Sequence, residues 1–218
     1  IIVNGGKKIV PTLIDRVQDR RGLTIIRDDQ RDCLNCNGIN ANSKIIPPIA
    51  TLDIRDKVIS PGSAYQMVSM LKGAVDRGTG IIVKSLNRNL AGKTGTTNSN
   101  SDAWFVGFSS DLVVGVFVGF DKPRPLGLRE TGSSVAAPIF RDFMKKALEK
   151  TPDIPFRRPS GIKLISVNPK TGVKANSKTK NFILEAFKPG QLPNNRYEKN
   201  FIDTQNTKNV INNLSPLY

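Results

Sequence analysis

Histidine is absent from the 218 residues of this chain. Its absence excludes Ser-His-Asp triads, histidine-ligated zinc and histidine proton shuttles. Acid–base chemistry near neutral pH must therefore use lysine, carboxylate, tyrosine or cysteine side chains. We predict no metal site and no cofactor.

Cysteine is scarce: the chain has two, in the stretch Cys33-Leu34-Asn35-Cys36. One C-x-x-C motif without a second pair or a histidine is a poor zinc site. A redox-active pair would need a βαβ context, which the surrounding pattern does not provide. Two interpretations stay open: a short-loop disulfide between Cys33 and Cys36 in an oxidising compartment, or two free thiols.

Long apolar runs are also missing. The longest, residues 112–120, has nine residues, far fewer than the ~20 that span a bilayer as a helix. The chain starts at Ile1, and no charged stretch followed by an apolar run marks a signal peptide. We expect a piece of a longer protein, without a transmembrane helix of its own.

Acidic residues are in the minority, 18 against 33 Lys and Arg, which leaves a net charge of +15. The excess is densest in residues 157–218, with 11 basic and 3 acidic residues. Such an excess suits an anionic partner (nucleic acid, acidic lipid head groups or an anionic polymer), or it keeps a tail solvated. No nucleic-acid-binding motif accompanies it, so we predict no nucleic-acid partner.

The N-terminal part shows turn signals between short β-like runs. Residues 1–14 predict two strands around Asn4-Gly5-Gly6, and residues 17–27 predict a hairpin that turns at Arg21-Gly22. Residues 28–58 lack periodicity and are predicted to be irregular.

Two amphipathic helices follow. Ser60-Pro61 is a strong start signal, because serine caps helices well and proline fits the first helical turn. The second helix is predicted from a cap at Ser134 to about Lys150. The predicted buried faces are Ala64, Met67, Val68, Leu71 and Val75 in the first helix, and Ile139, Phe140, Phe143, Ala147 and Leu148 in the second.

Between the helices the pattern predicts three strands, at residues 90–97, 103–110 and 112–120, which are rich in valine and aromatic residues. Short turns between them favour an antiparallel β-meander. Helices flanking a meander indicate an α+β layered fold. The aromatic residues expected in its core or in a groove wall are Trp104, Phe105 and Phe108.

The C-terminal part is predicted to be separate. Residues 151–160 contain three prolines and indicate a linker after a first domain of residues 1–150. Residues 161–218 form a basic, Asn-rich extension, in which strands at 162–167 and 173–175 flank a turn signal and predict a hairpin.

The stretch Leu90-Ala91-Gly92-Lys93-Thr94-Gly95-Thr96-Thr97 places one ammonium group and three hydroxyl groups on a predicted strand. Its glycines let another backbone approach closely. These side chains are suited to bind an anionic ligand. Lys-Thr-Gly is a sequence element of penicillin-binding proteins and class A β-lactamases, where it accompanies S-x-x-K and S-D-N.

Around this motif the chain resembles class A, bifunctional penicillin-binding proteins of the 1A type from Gram-negative bacteria. The resemblance is carried by residues 85–97, by Val118-Gly119-Phe120-Asp121 and by Pro123-Arg124-Pro125-Leu126-Gly127, and it extends over about residues 1–160. It implies an incomplete penicillin-binding transpeptidase fold at the periplasmic face of the bacterial inner membrane. The glycosyltransferase domain and the membrane anchor would lie outside this chain.

The resemblance further implies a D,D-transpeptidase that binds peptidoglycan stem peptides and β-lactams. Lys93 would place charge near the substrate's terminal carboxylate and assist proton transfer, and the hydroxyls of Thr94 and Thr96 would contact that carboxylate. The backbone N–H of Thr96 would supply half of an oxyanion hole. Gly95 and Thr97 complete the implied substrate-binding stretch.

Two further motif matches are interpreted as coincidental. Ser69-Met70-Leu71-Lys72 fits S-x-x-K and Ser85-Leu86-Asn87 fits S-x-N. The resemblance, however, implies an S-x-x-K far upstream of the Lys-Thr-Gly strand with S-x-N between them, and both matches lie closer to Lys93 than that. The nucleophilic serine is therefore expected upstream of residue 1, in the N-terminal part of the same protein, and this chain alone is expected to be inactive. The alternative is a non-catalytic cell-wall-binding or structural module that uses the basic tail.

Overall fold

The computed structural model describes residues 1–28, 31–33, 51–53 and 55–193. Two compact units divide the chain, Ile1–Ile162 and Lys163–Tyr218. Among the residues described, no helix combines the length and the apolar character needed to cross a bilayer. The disulfide predicted between the two cysteines stays a prediction, because the second of them lies outside the described residues.

Two short antiparallel hairpins belong to the first unit. β1 (Arg16–Gln18) pairs with β2 (Thr24–Arg27), which confirms the predicted hairpin. β3 (Arg31–Cys33) pairs with β4 (Thr51–Asp53). Residues 28–58 are therefore not irregular throughout, because backbone pairing joins segments near both ends of that stretch.

Residues 1–14, all of them described, contain no strand, so the two strands predicted there are wrong. The chain turns at Gly5 and Gly6, which both have positive φ, and Gly6 N–H donates to Ile1 O at 2.9 Å. The carbonyl of Gly6 accepts a hydrogen bond from Ile59 N–H at 3.2 Å. This turn therefore packs against the segment before the first helix and not against its own continuation.

Helix α1 (Pro61–Asp76) begins where the sequence predicts it. The Ser60 hydroxyl caps the helix by accepting from Ser63 N–H at 3.1 Å, and such a cap contributes about 1 kcal/mol. Met67 is 45% exposed, so its predicted burial is wrong. A 3-10 segment (Ile81–Leu86) follows. The buried residues of α1 are Ala64, Val68, Gly73 and Val75.

Three antiparallel strands form the central sheet, in the order β5 (Ala91–Thr96), β6 (Asp102–Phe108) and β7 (Val113–Gly119). The predicted meander is confirmed, and with the helices it makes an α+β fold. Directly opposed residues of an antiparallel pair share a face of the sheet. Thr94 lies opposite Phe105, so it is on the face that carries the main core.

Helix α2 (Ala137–Ala147) covers this core face. Phe105 in β6 and Phe140 in α2 are fully buried, and their ring centroids lie 4.7 Å apart. Fully burying one such side chain contributes about 1.5–3 kcal/mol. This pair of rings therefore joins the helix to the middle strand of the sheet.

The start and the phase of this second helix differ from the prediction. A π-helical turn (Gly132–Ala136) precedes α2, and its cap is Thr131, which exchanges hydrogen bonds with Ser134 in a capping box. The buried side chains are Ala137, Phe140, Met144 and Leu148. The residues predicted as buried but found exposed are Ile139, Phe143 and Ala147. The π-helical turn adds Gly132 and Ala136 to the buried residues.

The stretch after α2 is attached to the first unit by specific contacts. Asn89 donates its side-chain amide to Asp153 Oδ2 at 2.7 Å. The ring of Phe156 packs edge-on against Phe108, with a centroid distance of 5.6 Å. Residues 151–160 contain no helix or strand, yet these contacts hold them to the α1–sheet core.

In the second unit, β8 (Lys163–Val167) pairs antiparallel with β9 (Ile183–Phe187). The turn predicted after β8 is present, since Asn168 N–H donates to Val173 O at 2.9 Å. Residues 173–175 meet β8 through one isolated bridge, and Ala175 N–H donates to Ser166 O at 2.8 Å. The predicted hairpin is therefore present, but its second side is a single bridge and not a strand. β9 pairs with the opposite edge of β8, because Val167 meets Lys174 on one side and Ile183 on the other.

Phe140→Ala is expected to lower the free energy of unfolding by about 3–5 kcal/mol, because it leaves a cavity under β6. Phe143→Ala is the matched control on the same helix, where the side chain is 51% exposed, and it should change stability by less than about 1 kcal/mol. Urea denaturation followed by the fluorescence of the single tryptophan measures both. Equal losses of stability in the two variants would contradict the assignment of Phe140 to the buried face of α2 and of Phe143 to its exposed face.

Candidate active site

The pairing of β5 with β6 sets which backbone groups of β5 are available. Thr97 N–H donates to the first carbonyl of β6 at 3.2 Å, and bonded and non-bonded residues alternate along an antiparallel pair. Lys93 and Gly95 therefore bond to β6, whereas Thr94 and Thr96 direct their N–H and C=O groups away from it. In the described part of the chain β5 pairs with β6 alone, so these groups line an open strand edge.

The side chains of the Lys-Thr-Gly-Thr stretch divide between the two faces of the strand. Thr94 and Thr96 lie on the core face, opposite Phe105 and Ala103. Lys93 lies on the other face and is exposed. The polar side chains of the motif therefore do not form a single row on one face of the strand.

Lys93 nevertheless reaches Thr94. Its Nζ donates to Thr94 O at 2.9 Å and to Thr94 Oγ1 at 3.1 Å. Because Thr94 O points to the open edge, the ammonium group lies at that edge too. The structure thus brings together the charge of Lys93, the hydroxyl of Thr94 and the backbone N–H of Thr96, three of the groups that the sequence analysis singled out.

Three residues absent from the predicted site hold the two threonines. Gly132 N–H donates to Thr96 Oγ1 at 2.9 Å, and the hydroxyls of Thr79 and Thr94 lie 2.7 Å apart. Ser133 Oγ donates to Thr79 O at 2.6 Å. These contacts join residues that are 36, 15 and 54 positions apart, so no local sequence pattern could have pointed to them.

Gly132 is buried in a place that has no room for a side chain. A Cβ there would lie 2.6 Å from Gly95 O and would collide with Trp104 O. Both obstacles are backbone atoms of the sheet, which cannot rotate away as a flexible side chain would. The π-helical turn therefore approaches β5 and β6 closely only because residue 132 is glycine.

Thr97 has a structural task in the turn between β5 and β6. Its hydroxyl oxygen accepts hydrogen bonds from the N–H groups of Ser101 and Asp102, both at 3.0 Å. This arrangement satisfies two backbone donors in the turn. The contact with substrate that the resemblance implies for Thr97 stays a prediction.

The aromatic residues of β6 divide between core and surface. Phe105 and Phe108 are buried, as predicted, whereas Trp104 is 44% exposed and is not a core residue. Trp104 packs against Phe117 with ring centroids 4.6 Å apart. A Cβ on Gly95 would lie 3.2 Å from Trp104 Cβ, so this indole lies directly beside the Lys-Thr-Gly strand.

The residues of the two motif matches that are interpreted as coincidental have ordinary structural contacts. Lys72 Nζ donates to Asn89 Oδ1 at 3.2 Å, and Ser85 Oγ donates to Ile82 O at 2.8 Å. Neither bond directs a base toward Ser69. Over the described ranges, no group of three or more Cys, Asp or Glu side chains is placed to hold a metal ion.

Comparison with known proteins identifies the family of this chain. The family described as "Penicillin binding protein transpeptidase domain" matches residues 1–145. The chain belongs to this family.

Penicillin-binding protein 1A sequences are among its similar relatives. The Rickettsia felis protein is 46% identical over 193 residues, which cover 88% of this chain and 24% of that protein. The Pseudomonas aeruginosa protein is 34% identical over 88% of this chain and 27% of its own length. The crystal structure of penicillin-binding protein 1A from Haemophilus influenzae superposes with a TM-score of 0.69 at 30% identity, over 90% of this chain and 31% of that one. The chain thus spans about a quarter of the length of the curated relatives that it matches.

Gly132→Ala is expected to destabilise the fold by about 1–3 kcal/mol, because the new methyl group meets backbone carbonyls of β5 and β6. Gly115→Ala is the matched control in the same sheet, since a Cβ there meets only Val106 Cγ2 at 4.0 Å. The control should be neutral or stabilising. Chemical denaturation compares the two, and an unchanged midpoint for Gly132→Ala would show that the turn is not packed as described.

Proposed function

We propose that this chain forms one wall of the acyl-transfer site of a D,D-transpeptidase that cross-links peptidoglycan, and that β-lactams bind at the same site. The observation that carries the proposal is the convergence of Lys93 Nζ, Thr94 Oγ1 and the outward N–H of Thr96 at the open edge of β5. Membership of the penicillin-binding transpeptidase family supports it.

In the proposed reaction a serine hydroxyl attacks the carbonyl carbon of the D-Ala–D-Ala peptide bond. The tetrahedral intermediate collapses with loss of the terminal D-Ala, whose nitrogen takes up a proton, and an acyl ester remains on the serine. An amine of a neighbouring stem peptide then attacks the ester and restores the serine. A β-lactam acylates the same serine by opening its ring.

The edge of β5 supplies binding and electrostatic stabilisation in this scheme. Lys93 and the hydroxyls of Thr94 and Thr96 bind the terminal carboxylate, and Lys93 assists proton transfer. The Thr96 N–H donates to the developing oxyanion, a contribution that can be worth roughly 3–4 kcal/mol. Because the N–H and C=O groups of Thr94 and Thr96 point outward, a stem peptide can add as an extended strand, with Gly95 and Thr97 beside it.

We place the nucleophilic serine upstream of residue 1, in a part of the relatives that this chain does not cover. Ser69 is a poor candidate for the nucleophile, because its motif lies on the helix that leads directly into the Lys-Thr-Gly strand. The partners of this chain are then the N-terminal part of the same protein, stem peptides and β-lactams. The site would work at the periplasmic face of the inner membrane, with the glycosyltransferase domain and the anchor supplied by the rest of the protein.

A cell-wall-binding role for the basic tail would account for the charge of residues 157–218, but not for the donors gathered along β5.

Covalent labelling by a fluorescent penicillin tests the proposal. The chain alone should acquire no label that survives denaturation. Joined to the upstream part of the Rickettsia felis penicillin-binding protein 1A, it should be labelled, and Lys93→Ala should slow labelling by about 100-fold or more, because a charged donor of the site is lost.

Ser69→Ala is the matched control for this experiment, since it changes the coincidental motif and leaves the β5 edge intact. Its labelling rate should equal that of the unmodified fusion. Label on the chain alone that disappears in Ser69→Ala would place the nucleophile within these residues. A Lys93→Ala fusion that is labelled at the full rate would remove the proposed role of the strand.

A further inference from the structure

The hydroxyl groups of the Lys-Thr-Gly-Thr stretch already have protein donors as partners. Thr96 Oγ1 accepts from Gly132 N–H at 2.9 Å. A backbone N–H can only donate, so in this bond the threonine oxygen must be the acceptor. The single hydroxyl proton of Thr96 is therefore left to be donated to another group.

Thr94 is placed in the same way by two neighbours. Lys93 Nζ donates to Thr94 Oγ1 at 3.1 Å. The hydroxyl of Thr79 lies 2.7 Å from the same oxygen, and either of the two hydroxyls can be the donor. When Thr79 donates, both acceptor positions of Thr94 Oγ1 are filled, and the proton of Thr94 is free for a ligand.

The position of Thr79 is tied to the turn that holds Thr96. Ser133 Oγ donates to Thr79 O at 2.6 Å, and Ser133 follows Gly132 in the π-helical turn. That turn is itself capped by Thr131 and Ser134 and is packed tightly under β5. One short segment thus holds Thr96 directly and Thr94 through Thr79.

We propose that Thr79, with Gly132 and Ser133, is a positioning residue that turns the hydroxyl protons of Thr94 and Thr96 toward the ligand, so that the β5 edge selects a ligand that ends in a carboxylate. This inference rests on the proposed function and adds to it the residue that orients the two threonine hydroxyl groups toward a carboxylate.

The selectivity follows from the kind of groups that remain available. The Lys93 ammonium and the two hydroxyl protons are all donors. A carboxylate offers only acceptor oxygens and makes charge-assisted hydrogen bonds with such a set. A primary amide would place its NH₂ donors against these donors and leave some of them without an acceptor. Because unpaired polar groups cost binding free energy, the site should bind the amide more weakly than the acid.

Binding of Nα,Nε-diacetyl-Lys-D-Ala-D-Ala and of its C-terminal amide to the full chain tests the proposal. Trp104, the single tryptophan, lies beside Gly95 and reports both ligands by fluorescence. The unmodified chain should prefer the acid. Thr79→Val keeps the shape of the side chain but loses its hydroxyl, and it should lower affinity for the acid about fivefold while leaving affinity for the amide unchanged. Thr79→Ser, which keeps the hydroxyl, should retain the preference.

Other results would overturn the proposal in distinguishable ways. If Thr79→Val weakens the acid and the amide equally, Thr79 has only a structural role. If it changes neither while the unmodified chain still prefers the acid, the positioning role fails and the proposed function stands. If the unmodified chain shows no preference for the acid, the carboxylate site at β5 fails, and this inference fails with it.

Discussion

Every group at the candidate site depends on the register in which β5 pairs with β6, with Thr94 opposite Phe105. That register puts the hydroxyls of Thr94 and Thr96 on the core face and their N–H groups at the open edge. A shift by one residue would exchange the two faces of the strand. It would place the backbone groups of Lys93 and Gly95 at the edge instead, and the lysine could no longer meet the hydroxyl of the next residue there.

Packing on the core face holds this register. Phe105 is fully buried against Phe140, so β6 cannot slide without exposing a large apolar side chain. Gly132 lies so close to Gly95 O and Trp104 O that the π-helical turn fits only one arrangement of β5 and β6. The elements that form the core and the elements that position the site are therefore the same, and a change under the sheet should be felt at its edge.

Sequence patterns predicted the parts of this structure that are determined locally. The Ser60 cap, the hairpin of β1 and β2 and the three strands of the central sheet follow from neighbouring residues, and all are present. The inward face of α2 was predicted only in part, because Phe140 and Leu148 are buried as predicted, whereas Phe143 is exposed. The turn after β8 was also predicted, whereas β9, which pairs with the other edge of β8, was not.

The residues of the candidate site also differ in whether the sequence alone could predict them. Lys93, Thr94 and Thr96 were singled out because a three-residue motif and its surroundings resemble a known family, not because their geometry could be calculated. Thr79 and Gly132 were missed, since they meet the strand only after the chain has folded. A sequence motif therefore named the groups that would touch a ligand, whereas only the structure shows the residues that orient them.

Amide hydrogen exchange along β5, resolved by residue with NMR, tests the central claim most directly. Lys93 and Gly95 N–H bond to β6 and should exchange at least about tenfold more slowly than Thr94 and Thr96 N–H, which face the open edge. Slow exchange at Thr94 and Thr96 with fast exchange at Lys93 and Gly95 would show the opposite register, and the site described for this strand would not exist.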